Sequence, residues 1–428
     1  MRDETLVQSA QSGLVRTQVH RAGAPAAGDG ATGPGMRVLL VHNRYKFAGG
    51  EDVVVAAEKA MLEDHGHEVS LLDADNAEIS GALSKAVAGF TAIYSPAAKR
   101  RVADEVARFR PGIMHVHNFF PLLSPSVYCA AHEAGVPVVQ TLHNYRLVCP
   151  GSQLLRNGSI CEQCLGKTAA IHGVVHGCYR GSRAATASVA SMLAVHRALG
   201  TWGMVDAYIA LTRFGRETFI RGGLPPDRLF VKPNFAHSAA ATGQGDGGFA
   251  LFVGRLSVEK GIRPLLGAWK RPGVDLPLKI AGDGPLMAEV QAAARGMANV
   301  ELLGQVSKDR VADMLRRAQM LIIPSIWYEG FPMVVVEAFA AGVPVIASNI
   351  GALGELIDHG RTGLHARPGD AEDLARQVEF LASDEAQRQR MRHAVRREFE
   401  LHYTAERNCE MLLAIYEQAR ARLMPSQL

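Results

Sequence analysis

The sequence contains no run of the roughly eighteen apolar residues that a membrane-spanning helix needs, and no continuous apolar segment follows its first charged residues. It therefore predicts neither a membrane span nor a signal peptide, and we expect a cytoplasmic protein. The excess of positive charge is also small, since 46 Lys and Arg against 42 Asp and Glu give a net charge of +4. This balance does not indicate a nucleic-acid partner, but it permits anionic ligands, including nucleotides and acidic lipid surfaces.

A second absence is the GxGxxG fingerprint of dinucleotide-binding proteins. The first predicted strand, 36–43, is followed by a loop in which only the adjacent pair Gly49 and Gly50 precedes a helix. Three spaced glycines would be needed, so an NAD-dependent enzyme is disfavoured. Glycines at this place still allow backbone amides to approach an anionic ligand, and Glu51 beside them is a weaker candidate.

Cysteine is scarce, and four of the six cysteines lie in one short segment. A reducing cytoplasm should keep such thiols free of disulfides. A CxxC pair with two flanking cysteines supplies the four soft ligands of a structural zinc site, although the spacing is not that of a common zinc ribbon. Free thiols and a redox pair are the alternatives, because CxxC supports either. The four residues are Cys149, Cys161, Cys164 and Cys178, whereas Cys129 and Cys409 lie elsewhere.

Length and composition predict two globular domains. The chain has 428 residues, of which 48% are hydrophobic and 21% charged. Alternating strand and helix patterns predict an α/β fold with doubly wound parallel sheets. Segment 1–35 lacks periodicity and predicts a disordered tail, so that Met36, directly before the first strand, is an alternative biological start to Met1. The expected domains are 36–235, with the cysteine-bearing insertion 149–178, and 249–403, joined by the linker 236–248.

The most informative stretch is 324–348, PSIWYEGFPMVVVEAFAAGVPVIAS. A buried strand ends at Pro324 and leads into a loop with Glu329. Pro332 suits the first position of a helix that contains Glu337, and an apolar, β-branched strand follows. Loops at the C-terminal ends of parallel strands, together with helix N-termini, form the cleft in which α/β proteins bind ligands. Both carboxylates can accept hydrogen bonds from ligand hydroxyls there.

Two cations follow another strand of the same predicted domain, in the segment 250–262, ALFVGRLSVEKGI. Arg255 offers a planar fork and Lys260 a point charge, which together suit a diphosphate. Either residue alone would more often be an ordinary solvated side chain.

Three histidines lie near the ends of two predicted strands, 111–118 and 136–144. His115 and His117 alternate within their strand, which is typical of structural histidines whose hydrogen bonds are satisfied. His143 stands at the mouth of the next strand, where α/β proteins bind ligands, and we interpret it as functional.

The pair Glu329 and Glu337, eight positions apart within the stretch described above, resembles the donor-sugar signature of the family 4 retaining glycosyltransferases. The resemblance implies the GT-B fold, in which two Rossmann-like domains face a central cleft. The first domain would lie on the acceptor side, the second would bind the nucleotide sugar, and the helix in 404–428 would cross back to the first domain. The implied reaction moves a sugar from a nucleoside diphosphate sugar to an acceptor hydroxyl with retention of configuration.

The resemblance also assigns roles to individual residues. Arg255 and Lys260 would stabilise the departing diphosphate, Glu329 would hold sugar hydroxyls, and His143 would lie near the anomeric centre as the fourth catalytic residue. No metal or other cofactor would be required for catalysis. The remaining donor-binding residues would be Gly49 and Gly50 at the phosphates, Val306 beside the base, Gly330, Phe331 and Pro332 around the sugar, and Glu337 on the ribose hydroxyls.

The string Asp73-Ala74-Asp75 would hold a divalent metal in another glycosyltransferase architecture. Acidic residues commonly end the second strand of an α/β domain, so we interpret this string as structural. No catalytic metal site is therefore expected.

Several alternatives stay open from the sequence. A nucleotide-sugar epimerase of the GT-B fold and a non-catalytic sugar-nucleotide-binding subunit are the rival functions. The acceptor would be a glycan or a lipid-linked sugar in the synthesis of cell-surface polysaccharide or glycoconjugate. A predicted helix, Tyr179–Trp202, favours packing inside the domain, with peripheral contact to the inner face of the membrane as the alternative. The sequence predicts neither the sugar and base of the donor nor the oligomeric state.

Overall fold

Two six-stranded sheets, each parallel throughout, form the centres of the fold. The computed structural model of the protein describes residues 35–46, 49–236 and 242–423. Nearly all of the predicted tail 1–35 and part of the predicted linker 236–248 lie outside these residues. Among the described residues, no helix combines the length and apolar character needed to cross a bilayer.

The first sheet has the strand order β2-β1-β3-β4-β7-β8. Its central strands read as near-continuous apolar runs because helices cover both faces, and Leu39 and Val116 are fully buried. A short antiparallel hairpin, β5-β6, lies outside this sheet. The strands are β1 Arg37–Arg44, β2 Glu68–Asp75, β3 Ile113–Asn118, β4 Val138–Leu142, β5 Leu155–Arg156, β6 Ser159–Ile160, β7 Ala207–Ala210 and β8 Leu229–Val231.

The second sheet has the order β11-β10-β9-β12-β13-β14. After β9, the chain adds β10 and β11 on one side of this strand and then β12 to β14 on its other side, so the strand order reverses between β9 and β12. Ligands of open α/β sheets bind at such a switch point, beyond the C-terminal ends of the strands. The strands are β9 Ala250–Val253, β10 Leu278–Ala281, β11 Val300–Gly304, β12 Met320–Ile323, β13 Val345–Ser348 and β14 Gly363–Ala366.

Helices connect the strands and cover both sheets. They are α1 Gly50–Asp64, α2 Gly81–Thr91, α3 Pro96–Phe109, α4 Ser126–Glu133, α5 Ile171–His176, α6 Arg183–Ala198, α7 Arg213–Arg221, α8 Ile262–Trp269, α9 Met287–Ala294, α10 Lys308–Arg317, α11 Met333–Ala340, α12 Gly351–Leu356, α13 Ala371–Ser383, α14 Glu385–His402 and α15 Ala405–Leu423.

Two predicted helices begin later than expected. The helix predicted for Tyr179–Trp202 is shorter, because Arg180 and Gly181 have φ of 55° and 67°, which a helix does not accommodate, and α6 begins only after the N-cap Ser182. Pro332 is the N-cap of α11 and not its first helical residue, since its ψ of 108° is extended.

The last helix, α15, packs on the first sheet although it follows the second in sequence. Leu412 and Tyr416 share a buried cluster with Val38 and Leu40 of β1. The Tyr416 hydroxyl lies 2.8 Å from His115 Nδ1 at the centre of that sheet.

A second junction joins the two sheet domains through α7. The Glu355 carboxylate of α12 accepts hydrogen bonds from the backbone N–H groups of Arg213 and Phe214, at 3.0 and 2.8 Å, and so caps the N-terminus of α7. Beside it the rings of Phe214 and Tyr328 are in contact, with centroids 4.7 Å apart. The loop after β12, which carries Glu329, is therefore anchored against the first domain.

Candidate active site

Glu329 and Lys260 meet at the C-terminal edge of the second sheet. Glu329 follows β12 and is buried, with 4% of its surface exposed. Lys260 Nζ donates to both of its carboxylate oxygens, at 2.7 and 3.0 Å, and the Ser325 hydroxyl donates to Oε1 at 2.7 Å. The ammonium group also lies 5.5 Å from the ring of Trp327. In this pair, the partly exposed ammonium group of Lys260 balances the charge of the buried Glu329 carboxylate.

Arg255, the other predicted phosphate ligand, lies between the two domains. It is exposed and lines a cavity of about 440 Å³ together with Tyr45, Lys46 and Arg180 of the first domain. Of the predicted cations, Lys260 thus lies on Glu329, and Arg255 faces the first domain.

The loop with Glu329 touches the loop with His143 directly. A Cβ atom added at Gly330 would lie 2.5 Å from the His143 carbonyl oxygen. Tyr145, two residues beyond His143, lies close enough to Glu329 that burial, and then this carboxylate, raise the pKa of its phenol. The structure therefore brings His143, Glu329, Gly330 and Lys260 into one region.

We expect Gly330→Ala to lower catalytic activity by about ten- to a hundredfold, because the added methyl group would push the two loops apart and small displacements of reacting groups are costly. Steady-state rates with a nucleotide sugar, the donor that the sequence predicts, measure the effect. Gly296→Ala is the control, since a Cβ at Gly296 meets no atom within 4 Å. Equal rates for the two variants would show that the contact with His143 does not matter.

His143 contacts a second histidine, His117. His143 Nε2 lies 2.9 Å from His117 Nδ1, and the two rings stack with centroids 5.2 Å apart. Burial, together with the neighbouring His117, holds the pKa of His143 well below its usual value. Burial likewise lowers the pKa of His117 to about 4. Both imidazoles are therefore neutral at neutral pH, and His143 keeps Nδ1 for a ligand.

Behind His117 lies a buried ionic cluster. Glu58 Oε1 lies 3.2 Å from His117 Nε2 and 3.1 Å from His115 Nδ1, and Glu58 Oε2 is 3.1 Å from Lys232 Nζ. Burial alone would raise the pKa of the Glu58 carboxyl, but Lys232 and the two histidines bring it well below its usual value. Lys232 also donates to Asn408 Oδ1 at 2.7 Å. The Glu58 carboxylate thus lies against His117, which in turn contacts His143.

Glu337 and Val306 lie in the predicted nucleotide region of the second domain. Glu337 is in the first turns of α11, and burial raises the pKa of its carboxyl, while Lys308 nearby opposes the shift. Val306 follows β11 and packs against the same core cluster as Met333 and Val334. These two residues lie one helical turn before Glu337 in α11. Phe331 is buried, and Pro332 is half-buried.

Of the two glycines predicted to face a phosphate, only one has a backbone N–H group that is available to a ligand. Gly49 is the N-cap of α1, and its N–H donates to Asp52 Oδ2 at 2.8 Å. Asp52 Oδ1 in turn lies 2.9 Å from His42 Nε2. Gly50 is exposed, and a Cβ there would meet nothing within 4 Å. The amide predicted to face a phosphate at Gly49 is thus already bonded, whereas Gly50 remains a candidate.

Glu51, beside the glycine pair, is expected to make the stability of the fold depend on pH. Its Oε2 accepts a hydrogen bond from the Tyr45 hydroxyl at 3.0 Å. Burial raises the pKa of its carboxyl from 4.5 to about 8. Between these two values the unfolded chain releases the proton and the folded chain keeps it, so this group lowers the free energy of unfolding as pH rises.

We therefore expect Glu51→Gln to become progressively more stable than the wild type as pH rises from 5 to 8, by up to about 4 kcal/mol. Urea unfolding at several pH values measures the difference. Glu63→Gln, on the exposed face of the same helix, is the control. A constant difference between Glu51→Gln and wild type across this range would contradict the assignment.

Comparisons with known proteins agree with this geometry. The sequence profile described as "Glycosyl transferase 4-like domain" matches residues 49–234, and that of "Glycosyl transferases group 1" matches residues 236–398. The first half of the chain is thus similar to glycosyltransferase 4-like domains, and the second half to group 1 glycosyltransferases. An uncharacterized glycosyltransferase of Methanocaldococcus jannaschii is 35% identical over 161 residues, which are 37% of this chain and 45% of the relative. A glycogen synthase of Mycobacterium tuberculosis is 29% identical over 296 residues, 67% of this chain and 64% of the relative.

Solved structures confirm the predicted GT-B fold of this chain. A crystal structure of Anabaena HepE in complex with UDP and glucose superposes with a TM-score of 0.61 at 16% identity, over 91% of this chain and 99% of that one. The matched segments span only 45% of the length of the first curated relative and 64% of the second.

The string Asp73-Ala74-Asp75 has local partners. Asp73 and Asp75 both face Arg44, with oxygen to nitrogen distances of 3.0 and 3.7 Å. Asp75 also accepts a hydrogen bond from the N–H of Ala77 at 2.8 Å. Ion pairing and capping thus account for both carboxylates.

The four thiols around the β5-β6 hairpin lie in one neighbourhood. The pKa of Cys178 is raised by burial and then by Cys149 and Cys161, and that of Cys164 is also raised by burial. Among the described residues, however, the only histidines, cysteines and acids whose ligand atoms cluster within 4.8 Å are Glu58, His115 and His117. The structural zinc site at the cysteines stays a prediction.

Sequence reasoning did not identify Glu58, Lys232 or Tyr145. One available signal was the spacing of His115 and His117, since residues two apart on a strand point to the same face and share a neighbour. Lys232 is 174 residues from Glu58, and no local pattern links two positions so far apart.

Proposed function

We propose that this protein is a retaining glycosyltransferase that moves a sugar from a nucleoside diphosphate sugar to an acceptor hydroxyl. The observation that carries the proposal is the Lys260–Glu329 pair, held against the His143 loop at the switch point of the second sheet. The UDP complex of HepE supports a nucleotide donor. The glycogen synthase relative supports a glycan acceptor, in line with polysaccharide or glycoconjugate synthesis.

In the proposed reaction the bond between the anomeric carbon and the diphosphate oxygen breaks, while the acceptor oxygen bonds to the same carbon on the same face. The acceptor proton passes to the departing diphosphate. Lys260 and Arg255 stabilise the negative charge that grows there, which is the largest single contribution in many active sites. Glu329 needs no nucleophilic role, since Lys260 and Ser325 already engage its oxygens.

The sugar is proposed to lie between Glu329 and His143. Two polar atoms near this junction, the Tyr145 hydroxyl and the Trp327 indole nitrogen, are buried without a hydrogen-bond partner among the described residues. Unpaired buried polar groups are costly, and a hydroxyl-rich ligand is a natural partner for them. His143 then presents a neutral imidazole to the anomeric region.

The nucleotide is proposed to lie along the C-terminal edge of the second sheet. Glu337 would accept hydrogen bonds from the ribose hydroxyls, and Val306 would contact the base. Gly330, Phe331 and Pro332 would border the sugar. On the first domain, Gly50 rather than Gly49 would approach the phosphates, because the N–H of Gly49 is bonded to Asp52.

A donor panel tests the proposed reaction. Wild-type protein is incubated with radiolabelled UDP-, GDP- and ADP-sugars and a set of glycan acceptors, and nucleoside diphosphate and labelled product are measured. Release of diphosphate with formation of a glycoside of unchanged anomeric configuration is expected. An isomerised nucleotide sugar would show an epimerase instead, and donor binding without turnover over the whole panel would show a binding subunit.

The same assay tests independence from divalent metal. We expect the rate to persist in excess EDTA, because Arg255 and Lys260 supply the positive charge at the diphosphate. A rate that falls to background and returns with Mg²⁺ or Mn²⁺ would contradict this expectation.

A further inference from the structure

The first domain has an apolar groove between α2 and α6. The groove has a volume of about 760 Å³, and Ser188 closes its floor by donating a hydrogen bond to the Gly89 carbonyl oxygen. Its lining consists mainly of small and apolar side chains, with polar groups at one end. Those that define its walls are Ala86, Phe90 and Ile93 on one side and Ala184, Ala187 and Ser191 on the other.

The polar end of this groove borders the cavity that contains Arg255. Ile79, Lys85 and Arg180 line both spaces, so the two are adjacent. The cavity has four cations in its lining, Lys46, Lys85, Arg180 and Arg255, and no carboxylate among the described residues that border it. We call this cavity the basic vestibule.

Three of these cations are not neutralised within the protein. Lys85, Arg180 and Arg255 are exposed, and none of them belongs to an ion pair among the described residues. Arg180 stands at a φ of 55°, a conformation that residues other than glycine adopt at a cost. A cation kept at a strained position beside other cations favours binding of an anion.

The outer face of α2 is apolar as well. Leu83, Val87 and Phe90 are spaced along one face of the helix, with 79%, 52% and 77% of their surfaces exposed. Phe90 also lines the groove. Side chains of this kind in contact with water are unfavourable and are typical of surfaces that meet an apolar phase.

We propose that the groove and the basic vestibule together bind an acceptor sugar carried on a long-chain lipid phosphate. The groove holds the first part of the aliphatic chain, the vestibule holds the phosphate, and the sugar extends past Arg255 towards the donor. The charge pattern selects this occupant, because an uncharged lipid would leave the vestibule unfilled and a free phosphate would leave the groove empty. This inference rests on the proposed glycosyl transfer and names its acceptor class.

Titration calorimetry with simple probes below their micellar concentrations tests the proposal. The probes are dodecyl phosphate, hexyl phosphate, inorganic phosphate and dodecyl maltoside. We expect dodecyl phosphate to bind at least tenfold more tightly than hexyl phosphate, since each buried methylene adds affinity, and at least tenfold more tightly than dodecyl maltoside. Equal affinity for inorganic phosphate and dodecyl phosphate, or for dodecyl maltoside and dodecyl phosphate, would overturn the proposal.

Three variants locate the binding. Arg180→Gly removes a vestibule cation at a position where glycine relieves strain, so folding is preserved, and we expect at least fivefold weaker binding of dodecyl phosphate. Ala187→Phe fills the groove and is expected to remove the preference for dodecyl over hexyl phosphate. Arg100→Ala, an exposed cation on α3 that lines neither space, is the control and should bind as wild type. Unchanged binding in both Arg180→Gly and Ala187→Phe would place the lipid elsewhere and overturn the proposal.

These binding measurements use no donor, so they separate the two proposals. If the wild-type protein shows no preference for dodecyl over hexyl phosphate but transfers sugar normally to a soluble glycan, the lipid acceptor alone is overturned. Tight binding of dodecyl phosphate with no transfer from any donor would support the lipid site and contradict the proposed reaction.

Discussion

Lys260→Ala is expected to lower sugar transfer by about two orders of magnitude or more, the range seen when a partner of transition-state charge is removed. Lys260 is the cation nearest to the proposed leaving group on the second domain, and its loss also leaves the buried Glu329 with only Ser325 as a partner. Rates of nucleoside diphosphate release and of glycoside formation measure the effect. Lys270→Ala, an exposed lysine at the end of α8, is the control.

Two companion variants separate charge from packing. Lys260→Arg keeps the positive charge and should retain more activity than Lys260→Ala. Glu329→Gln keeps the shape of the side chain, but it loses the charge that holds Lys260 and should also be strongly impaired. Near-normal transfer by Lys260→Ala in protein with a normal melting temperature would defeat the assignment of this site.

The largest loss of stability is expected for Lys232→Met. Lys232 and Glu58 each have 1% of their surface exposed, and removal of one member of a buried ion pair costs about 3–5 kcal/mol because the other charge is left without a partner. We expect Glu58→Gln combined with Lys232→Met to recover part of this loss. Urea unfolding of the two single variants and the double variant gives the coupling between them.

A surface variant on α1, the helix that carries Glu58, provides the comparison. Lys59 pairs with Glu63 at the surface of α1, and Lys59→Met should cost less than about 1 kcal/mol. If Lys232→Met were no more destabilising than Lys59→Met, the buried cluster would not stabilise the fold. A drop in activity that exceeds the loss of folded protein would indicate that the cluster also positions His143 through His117.

The sequence was sufficient for the features that depend on local patterns. Apolar runs at regular spacing predicted the parallel strands of both sheets, and β12 and α11 lie within one or two residues of their predicted positions. The same stretch predicted that Glu329 would stand at a strand end. Arg180 shows the limit of local patterns, because its surroundings predicted a helix from Tyr179, whereas its left-handed backbone delays the start of that helix to Arg183.

Features that depend on distant contacts could not be predicted. His117 looked like an ordinary strand histidine, and only the packing of β3 against β4 shows that it supports His143. Glu58 and Lys232 come from a helix and a segment after β8 that the fold brings together. The Gly49 N–H donates a hydrogen bond to the Asp52 side chain, and the glycine pair alone did not predict this contact.

The most direct test of the central claim is a crystal structure of the protein with an intact nucleoside diphosphate sugar. We expect the diphosphate within hydrogen-bonding distance of Lys260 and Arg255, the ribose hydroxyls on Glu337, and the sugar between Glu329 and His143. A nucleotide bound elsewhere, with Lys260 and Glu329 still facing only each other, would contradict the proposed mechanism.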